Sequence, residues 1–428
     1  METFTLHIDR LTYGGRGIGR HEGLAVFVPA TAPGDRVQVR VVQRHKRHLE
    51  AELLQVLDPS PQRRLPPCPV ADRCGGCSWQ HLHESAQRSA KGAIFRDLLQ
   101  RYGGLSPERV APLVPAPADW NYRKRAQLKL RPAGAGWQIG FYAAQSHVVV
   151  PFDRCPVLSE RLNTLLSQLR GVLPGPELLP SLCGLDLEQG GDRCRLGLLL
   201  DPRHFRRALP LVATALAGVA ASVVLLSPDR SRWEPVQGDP LLPVFPEVGT
   251  DFAYPYPPGG FAQINHEQNQ AMVAAVVAAV QQGGGRHLLD LYCGAGNFSW
   301  PLARAGLRVT GVELSAASVA AAQRQADALG LSCRFVVGDA ARLPRLLPPT
   351  DLPDTVVVDP PRQGLGSALG PLLQLQPRQI VYVSCDPSTL ARDLAGMLRG
   401  GYAVRSSQPF DFFPQTYHVE SLTCLARA

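Results

Sequence analysis

From about residue 260 onward the chain alternates helix-like and strand-like apolar segments, and this alternation constrains the fold more than any other feature. Ala271 to Val280 reads as an Ala/Val helix, His287 to Tyr292 as a strand, Phe298 to Arg304 as a helix and Arg308 to Val312 as a strand. Ala316 to Leu329 is a further helix, followed by strands at Arg334 to Val337, Thr355 to Val358 and Ile380 to Val383 and a helix over Ser388 to Leu398. Buried strands linked by helices pair in parallel with right-handed crossovers, so the pattern predicts an α/β fold with a doubly wound sheet. Such sheets bind ligands at the carboxyl ends of their strands, which directs attention to the residues that follow each strand.

The first strand closes in Asp290-Leu291-Tyr292-Cys293-Gly294-Ala295-Gly296-Asn297, a Gly-x-Gly turn ahead of a helix. Glycines there let the backbone approach a ligand at the helix start. The second strand ends in Gly311-Val312-Glu313, placing a carboxylate where a ribose diol can be held, and the third ends near Gly338-Asp339. Three polar strand ends in series fit an adenosine-bearing ligand. The turn lacks the third glycine of the dinucleotide fingerprint, which favours S-adenosylmethionine over NAD.

The fourth strand runs into Val358-Asp359-Pro360-Pro361-Arg362, where two prolines fix the backbone and hold Asp359 over the pocket. Methyltransferases of amino groups carry an aromatic residue where Arg362 stands, so an exocyclic nitrogen is disfavoured as the target. The fifth strand ends in Ser384-Cys385-Asp386-Pro387. A thiol at a strand end and beside a helix N-terminus, which would stabilise a thiolate, is a candidate nucleophile. Near the C-terminus, Asp411-Phe412-Phe413-Pro414-Gln415-Thr416-Tyr417-His418-Val419-Glu420 sets His418 and Glu420 on one face of extended chain, a candidate source of a general base.

Residues 1–58 read as five or so short strands separated by turns at Gly14 to Gly19 and Pro33-Gly34-Asp35, which predicts a small barrel of OB type. No helix follows its Gly-rich run, so that run is not a dinucleotide site. Arg36, Arg40, Arg44, Lys46 and Arg47 form a basic stripe expected to face nucleic acid. Pro59 to Pro69 is a proline-rich hinge, residues 84 to 102 have helical spacing, and Arg123 to Arg131 is a strand with an expected basic outer face. The remainder to about 250 reads as mixed α/β. The expected units are therefore 1–58, 59–250 and 251–428. The net charge of +8, with only four lysines among 44 basic residues, suits a phosphate-rich partner. Neither a basic region followed by an apolar run at the start nor a membrane-length apolar stretch is present, so a cytoplasmic protein is expected. Ten cysteines in such a chain point to metal or catalysis rather than to disulfides.

Taken together, Phe261-Ala262-Gln263-Ile264-Asn265, the turn from Asp290 to Asn297, Asp359-Pro360-Pro361-Arg362, the run from Ser384 to Asp393 and the run from Asp411 to Glu420 resemble the uracil-5 RNA methyltransferases. The resemblance spans nearly the whole chain. It is greatest to those members that act on 23S ribosomal RNA and carry an N-terminal TRAM domain and an iron-sulfur cluster. It implies a class I S-adenosylmethionine-dependent methyltransferase fold with a TRAM barrel in front and a mixed α/β central domain bearing the cluster. By position, Gln263, Tyr292, Asn297, Glu313, Asp339 and Asp359 would line the S-adenosylmethionine pocket, Cys385 would be the nucleophile and Glu420 the base. Tyr292 stands where Phe is common and Asp386 where Asn is common.

Cys68, Cys74 and Cys77, with Cys155 much later, have only one C-x2-C pair, whereas zinc sites more often have two. The resemblance implies a [4Fe-4S] cluster on these four thiolates, with zinc the alternative. Cys183, Cys194, Cys293, Cys333 and Cys424 are assigned to packing. RNA is the expected partner, with 23S rRNA ahead of a tRNA uridine, and a monomer is expected. Two further readings remain: a cytosine-5 RNA methyltransferase, which would carry a Cys in the turn held here by Asp359 to Arg362, and a catalytically silent RNA-binding factor, against which Cys385 and Glu420 stand.

Overall fold

The computed structural model describes residues 2–348 and 350–428. The N-terminal strands β1 (Thr3–His7), β2 (Arg10–Leu11), β3 (Gly17–His21), β4 (Leu24–Val28), β5 (Arg36–Arg44) and β6 (His48–Asp58) form one curled sheet in the order β1-β5-β6-β4-β3-β2. Its inside is a compact apolar set that includes Leu6, Ile8, Val26, Val28, Val37, Val39 and Leu49. The Gly-rich run is only partly a turn, because Gly17 and Gly19 lie inside β3. A side chain at Gly19 would sit 2.1 Å from the carbonyl oxygen of His7, so the glycine permits strands to cross closely where composition alone reads as loop.

The stripe on β5 is not the free basic face expected. Arg36 pairs with Asp58, Arg40 with Glu52 and Arg44 with Glu2, while Arg16 pairs with Glu50. Three of these acids lie on β6, antiparallel to β5, so the linear run of arginines is neutralised by its cross-strand neighbours. Among the described residues, Arg20, Lys46 and Arg47 have no ion pair.

Helix α1 (Glu84–Gly103) follows the cysteine-bearing segment and ends where Gly104 turns left-handed at φ 65°. A mostly antiparallel sheet comes next, built from β7 (Arg125–Ala133), β8 (Gly136–Tyr142), β9 (Val149–Pro151), β10 (Gly184–Gly190), β11 (Arg193–Leu199), β12 (Ser222–Leu226) and β13 (Trp233–Gln237). Helices α2 (Glu160–Leu169) and α3 (Phe205–Leu216) cover it with leucine-rich faces. On β7 the expected alternation is present, with Ala126 and Leu128 buried and Arg125, Lys129 and the exposed Arg131 on the outer side, although part of this charge is engaged. Arg125 pairs with Glu188 at 3.0 Å and Lys124 with Glu267 at 3.2 Å, and Arg123 and Lys129 lie over the rings of Phe141 and Tyr142.

A short hairpin, β14 (Leu242–Val244) and β15 (Tyr254–Tyr256), leads into the C-terminal unit. There α4 (His266–Gln282), α5 (Ser299–Arg304), α6 (Ala316–Leu329), α7 (Leu343–Leu346), α8 (Leu369–Gln374) and α9 (Pro387–Arg399) flank a seven-stranded sheet. Its strands are β16 (His287–Leu291), β17 (Arg308–Glu313), β18 (Cys333–Val337), β19 (Thr355–Val358), β20 (Gln379–Ser384), β21 (Tyr402–Phe410) and β22 (Glu420–Arg427), in the order β18-β17-β16-β19-β20-β22-β21. The first five are parallel, as the alternation predicts, and β22 and β21 close the edge antiparallel. Apolar clusters lie on both faces of the sheet. Helix α4 begins five residues before the apolar run that announces it, because the Asn265 side chain accepts from Gln268 N and caps a polar first turn. No helix among the described residues is long and apolar enough to cross a membrane.

Candidate active site and cysteine pocket

The strand ends of the C-terminal sheet bring together what the sequence separates by more than 100 residues. At the β16 end, Tyr292, Gly294 and Gly296 all take positive φ, so the chain turns sharply into the helix. A Cβ on Gly296 would lie 2.2 Å from Trp300 Nε1, so no other residue fits there. Glu313 at the β17 end accepts from Gly294 N at 3.2 Å and Ser315 N at 2.9 Å, and thus ties the turn to the neighbouring strand. Asp339 follows β18, is exposed, and caps the next turn through Ala341 N. Asn297 exchanges both amide hydrogen bonds with Asn269 of α4, at 2.9 and 3.0 Å. Gln263 is half-buried in the loop before α4.

Asp290 is not singled out by the sequence reasoning as a site residue, yet it is fully buried beneath the turn. One of its oxygens accepts from Ser299 Oγ at 2.5 Å and the other has no partner. Burial pushes its carboxyl up to about 7. A buried, half-satisfied acid at this place marks a polar site rather than a packing position.

The second cluster sits one strand further along. Strands β20 and β22 pair antiparallel with Ser384 opposite Ser421, so Cys385, just past the end of β20, faces Glu420, the first residue of β22. Asp359 follows β19, whose Val358 is in register with Tyr382. The three groups share one end of the sheet. Glu420 is buried and its carboxyl is pushed up to about 8, by burial first and then by Asp359, against the opposing pull of Arg362. Asp359 itself is pushed up to about 7 by burial and by Asp290.

The Cys385 thiol is pushed up to about 12 by burial, Glu420, Asp359 and Asp386, with Arg362 opposing. The helix N-terminus expected to stabilise a thiolate does not act on Cys385 alone. The N-terminus of α9 is occupied by Asp386 Oδ1, which accepts from Ser388 N at 2.9 Å and Thr389 N at 3.0 Å. Sequence reasoning weighed Arg362 only as a departure from an aromatic. In the structure its charge acts on Cys385, Glu420 and His418. His418 is driven down to about 4 by burial and by Arg362 and Lys91, so it is neutral at pH 7, while Glu420 is the acid poised to exchange a proton near neutrality.

The loop from Asp411 to Val419 is packed rather than solvated. Lys91 of α1 donates to Asp411 Oδ1 at 2.6 Å and to Phe413 O at 2.9 Å, and both charged groups are buried. Gln87 donates to Gln415 Oε1 and accepts from Gln415 N, Trp79 N donates to Gln415 O, and Tyr122 Oη donates to Pro414 O.

The four cysteines named from the sequence line one pocket. Cys68, Cys74, Cys77 and Cys155 surround it with Arg123, Phe141 and Phe152. Cys155 N donates to Asn163 Oδ1, and Gly76 N donates to Cys74 Sγ at 3.4 Å. No three of the four sulfurs lie within 4.8 Å of one another. The thiolates around one tetrahedral zinc ion stand about 3.8 Å apart, as follows from a Zn–S bond of about 2.3 Å. The four thiols share one pocket without the mutual spacing of a closed tetrahedral site.

A doubly wound sheet in the order above, with a tight glycine turn and acidic strand ends on its carboxyl edge, defines a class I S-adenosylmethionine-dependent methyltransferase. Comparison with known proteins narrows this. The family described as tRNA (Uracil-5-)-methyltransferase matches residues 109–332 and 350–428, and the TRAM domain matches residues 1–54. The chain belongs to this family, and is an S-adenosylmethionine-dependent RNA uracil-5-methyltransferase. It is 36% identical to the 23S rRNA (uracil(1939)-C(5))-methyltransferase RlmD of Alkalilimnicola ehrlichii, covering 100% of this chain and 97% of that one. It is 37% identical to RlmD of Acidithiobacillus ferrooxidans, covering 98% and 96%. Among solved structures it is similar to the Pyrococcus abyssi tRNA (uracil-54, C5)-methyltransferase in complex with S-adenosyl-L-homocysteine. That match has a TM-score of 0.73 at 25% identity and covers 99% of this chain and 100% of that one.

Proposed function

We propose that the chain methylates carbon 5 of a uridine in 23S ribosomal RNA, with Cys385 as the nucleophile and Glu420 as the general base. The observation that carries this reading is the register that sets Cys385 opposite Glu420 beside Asp359 and Arg362. Full-length likeness to the RlmD proteins favours 23S rRNA over tRNA. Gln263, Tyr292, Asn297, Glu313, Asp339 and Asp359 are proposed to line the S-adenosylmethionine pocket. S-adenosylmethionine bound there supplies the methyl group.

Carbon 5 of uracil is a poor nucleophile. Cys385 Sγ adds to carbon 6, and the electrons of the carbon 5–carbon 6 double bond move to make carbon 5 nucleophilic towards the sulfonium methyl. Glu420, in its ionised form at this stage, then takes the proton from carbon 5, the double bond re-forms, and Cys385 leaves as the thiolate. The uridine must be out of its stack to reach these groups. Because the thiol is held protonated in the free protein, Cys385 must pass its proton to a neighbouring carboxylate, Asp359, as the base enters, and Arg362 favours the thiolate left behind.

We propose further that Cys68, Cys74, Cys77 and Cys155 hold a [4Fe-4S] cluster with a structural role, and that the enzyme works as a cytoplasmic monomer. The convergence of all four cysteines on one pocket supports the cluster.

The test follows tritium released from 5-labelled uridine in RNA together with covalent complex formation. Cys385→Ala is expected to bind RNA but release no tritium and form no complex. Glu420→Gln is expected to accumulate a denaturant-resistant complex joined to methylated RNA. Wild-type turnover by Glu420→Gln, or a complex with Cys385→Ala, overturns the assignments. Mass spectrometry of ribosomal and transfer RNA from a deletion strain decides the substrate.

A further inference from the structure

The N-terminal barrel reaches the turn that bears Cys385. Between β2 and β3 the chain makes a tight hairpin in which Thr12 N and Thr12 Oγ1 both donate to Arg16 O at 2.9 Å and Gly15 N donates to Thr12 O at 3.0 Å. Trp79, fully buried, anchors this hairpin from outside by donating from Nε1 to Gly15 O at 2.9 Å. Tyr13, at the tip, leaves the barrel and meets Tyr417 edge-on, with ring centroids 5.7 Å apart. Its hydroxyl donates to Asp386 Oδ2 at 2.8 Å.

Asp386 closes the catalytic turn from both sides. Its Oδ1 caps α9 through Ser388 N and Thr389 N, while Ser384 Oγ donates to Asp386 O at 3.1 Å and accepts from Asp386 N at 3.3 Å. Cys385 lies between Ser384 and Asp386, so its direction is set by how firmly this carboxylate is held. Among the described residues, Tyr13 is the only donor to Oδ2.

We propose that Tyr13 is a positioning residue for the methyl transfer: by occupying Asp386 Oδ2 it locks the turn that presents Cys385, so that barrel and nucleophile form one assembled unit. The proposal rests on the reading of Cys385 as nucleophile. The charges of Glu420, Asp359 and Asp386 all raise the thiol, and Arg362 opposes them. A phenol that donates into the Asp386 charge reduces its effect on a developing thiolate at the adjoining residue. Without that hydroxyl, Oδ2 is left unpaired in a half-buried place, free to rotate off the cap and fully charged beside the thiol.

The test uses the full chain with S-adenosylmethionine and RNA carrying 5-fluorouridine. Fluorine on carbon 5 cannot leave as a proton does, so the methylated adduct is trapped and its rate of formation can be read in a single turnover. Cys385→Ala is the control for the underlying reading: a trapped complex in that variant removes the nucleophile, whatever Tyr13 does. Tyr13→Phe is expected to slow trapping about tenfold. Its RNA affinity should be unchanged, and its pH–rate curve should move to higher pH. Adding Asp386→Asn to Tyr13→Phe should recover most of the lost rate and return the curve, since the amide oxygen still caps α9 and the uncompensated charge is gone. Three results each overturn the proposal: a wild-type trapping rate in Tyr13→Phe, a loss of RNA affinity that accounts for the slower rate, or no recovery in the double variant.

Discussion

Cys385 stands out in the sequence as a thiol at a strand end beside a helix start, and Glu420 as the acid that closes a polar run ahead of the last strand, their catalytic roles being what the family resemblance implies. Their protonation states are not legible, since these depend on groups that only folding brings close. Glu420 provides a pH test with a definite sign. Its carboxyl rises from 4.5 to about 8 on folding, so the folded state keeps a proton that the unfolded state gives up. The stability it contributes is complete below pH 4.5 and is lost as pH rises through about 8. Asp290 and Asp359 act in the same direction between 3.8 and about 7. Glu420→Gln is therefore expected to melt above the wild type at pH 8.5, with the difference shrinking towards pH 5. Thermal denaturation across that range checks it, and a pH-independent difference would contradict a buried, proton-holding acid. Arg362 and Asp290 went unassigned for a related reason: the significance of each lies in what faces it, and neither partner is near it in the chain.

The element that most needs explanation is the loop between β21 and β22. Its composition reads as polar and solvated, but it is clamped by α1 from a distant part of the chain. The Lys91–Asp411 pair is the centre of that clamp, with both side chains out of water. Removing one partner strands a buried charge, which typically costs about 3–5 kcal/mol. Lys91→Met is expected to lower stability by that order and to free the loop that leads into Glu420. Methyl transfer should fall sharply while S-adenosylmethionine binding, at the pocket proposed above, persists. Calorimetry on the variant with equilibrium dialysis of the labelled methyl donor separates the two effects. Periodicity found α1 itself, as apolar spacing over residues 84 to 102. It could not show that Lys91 and Gln87 point into a buried contact, because a lysine and a glutamine on a helix are ordinarily solvent-facing.

At the scale of the whole molecule, the barrel, the cysteine segment and the catalytic sheet meet at a shared apolar contact of Leu11, Trp79, Leu82 and Ile94, with Tyr13 and Tyr417 against it. Most arginines on the barrel are already paired, which leaves Arg20, Lys46 and Arg47 as its contribution to phosphate binding. Arg20 is opposite Ala25 on β4, and Ala25 is opposite His48 on β6, next in the chain after Lys46 and Arg47. Replacing all three with Ala should reduce the slope of log affinity for RNA against log salt by about 0.7 for each phosphate that is no longer neutralised. Alanine at Arg36, Arg40 and Arg44 should change it far less. For the cysteine pocket, anaerobically purified protein is expected to contain iron, with absorbance near roughly 400 nm, and Cys74→Ser should lose it. Zinc without iron would refute the cluster. The sequence by itself determined the doubly wound sheet and the order of its strand ends, because periodicity and turn chemistry are local properties of the chain, whereas Cys155 joins the other three cysteines only in the folded structure. Tertiary structure alone decided which charges are free, which acids hold protons, and that Tyr13 reaches Asp386 across 373 residues. These depend on distance and solvent exclusion between segments, and no local pattern encodes them.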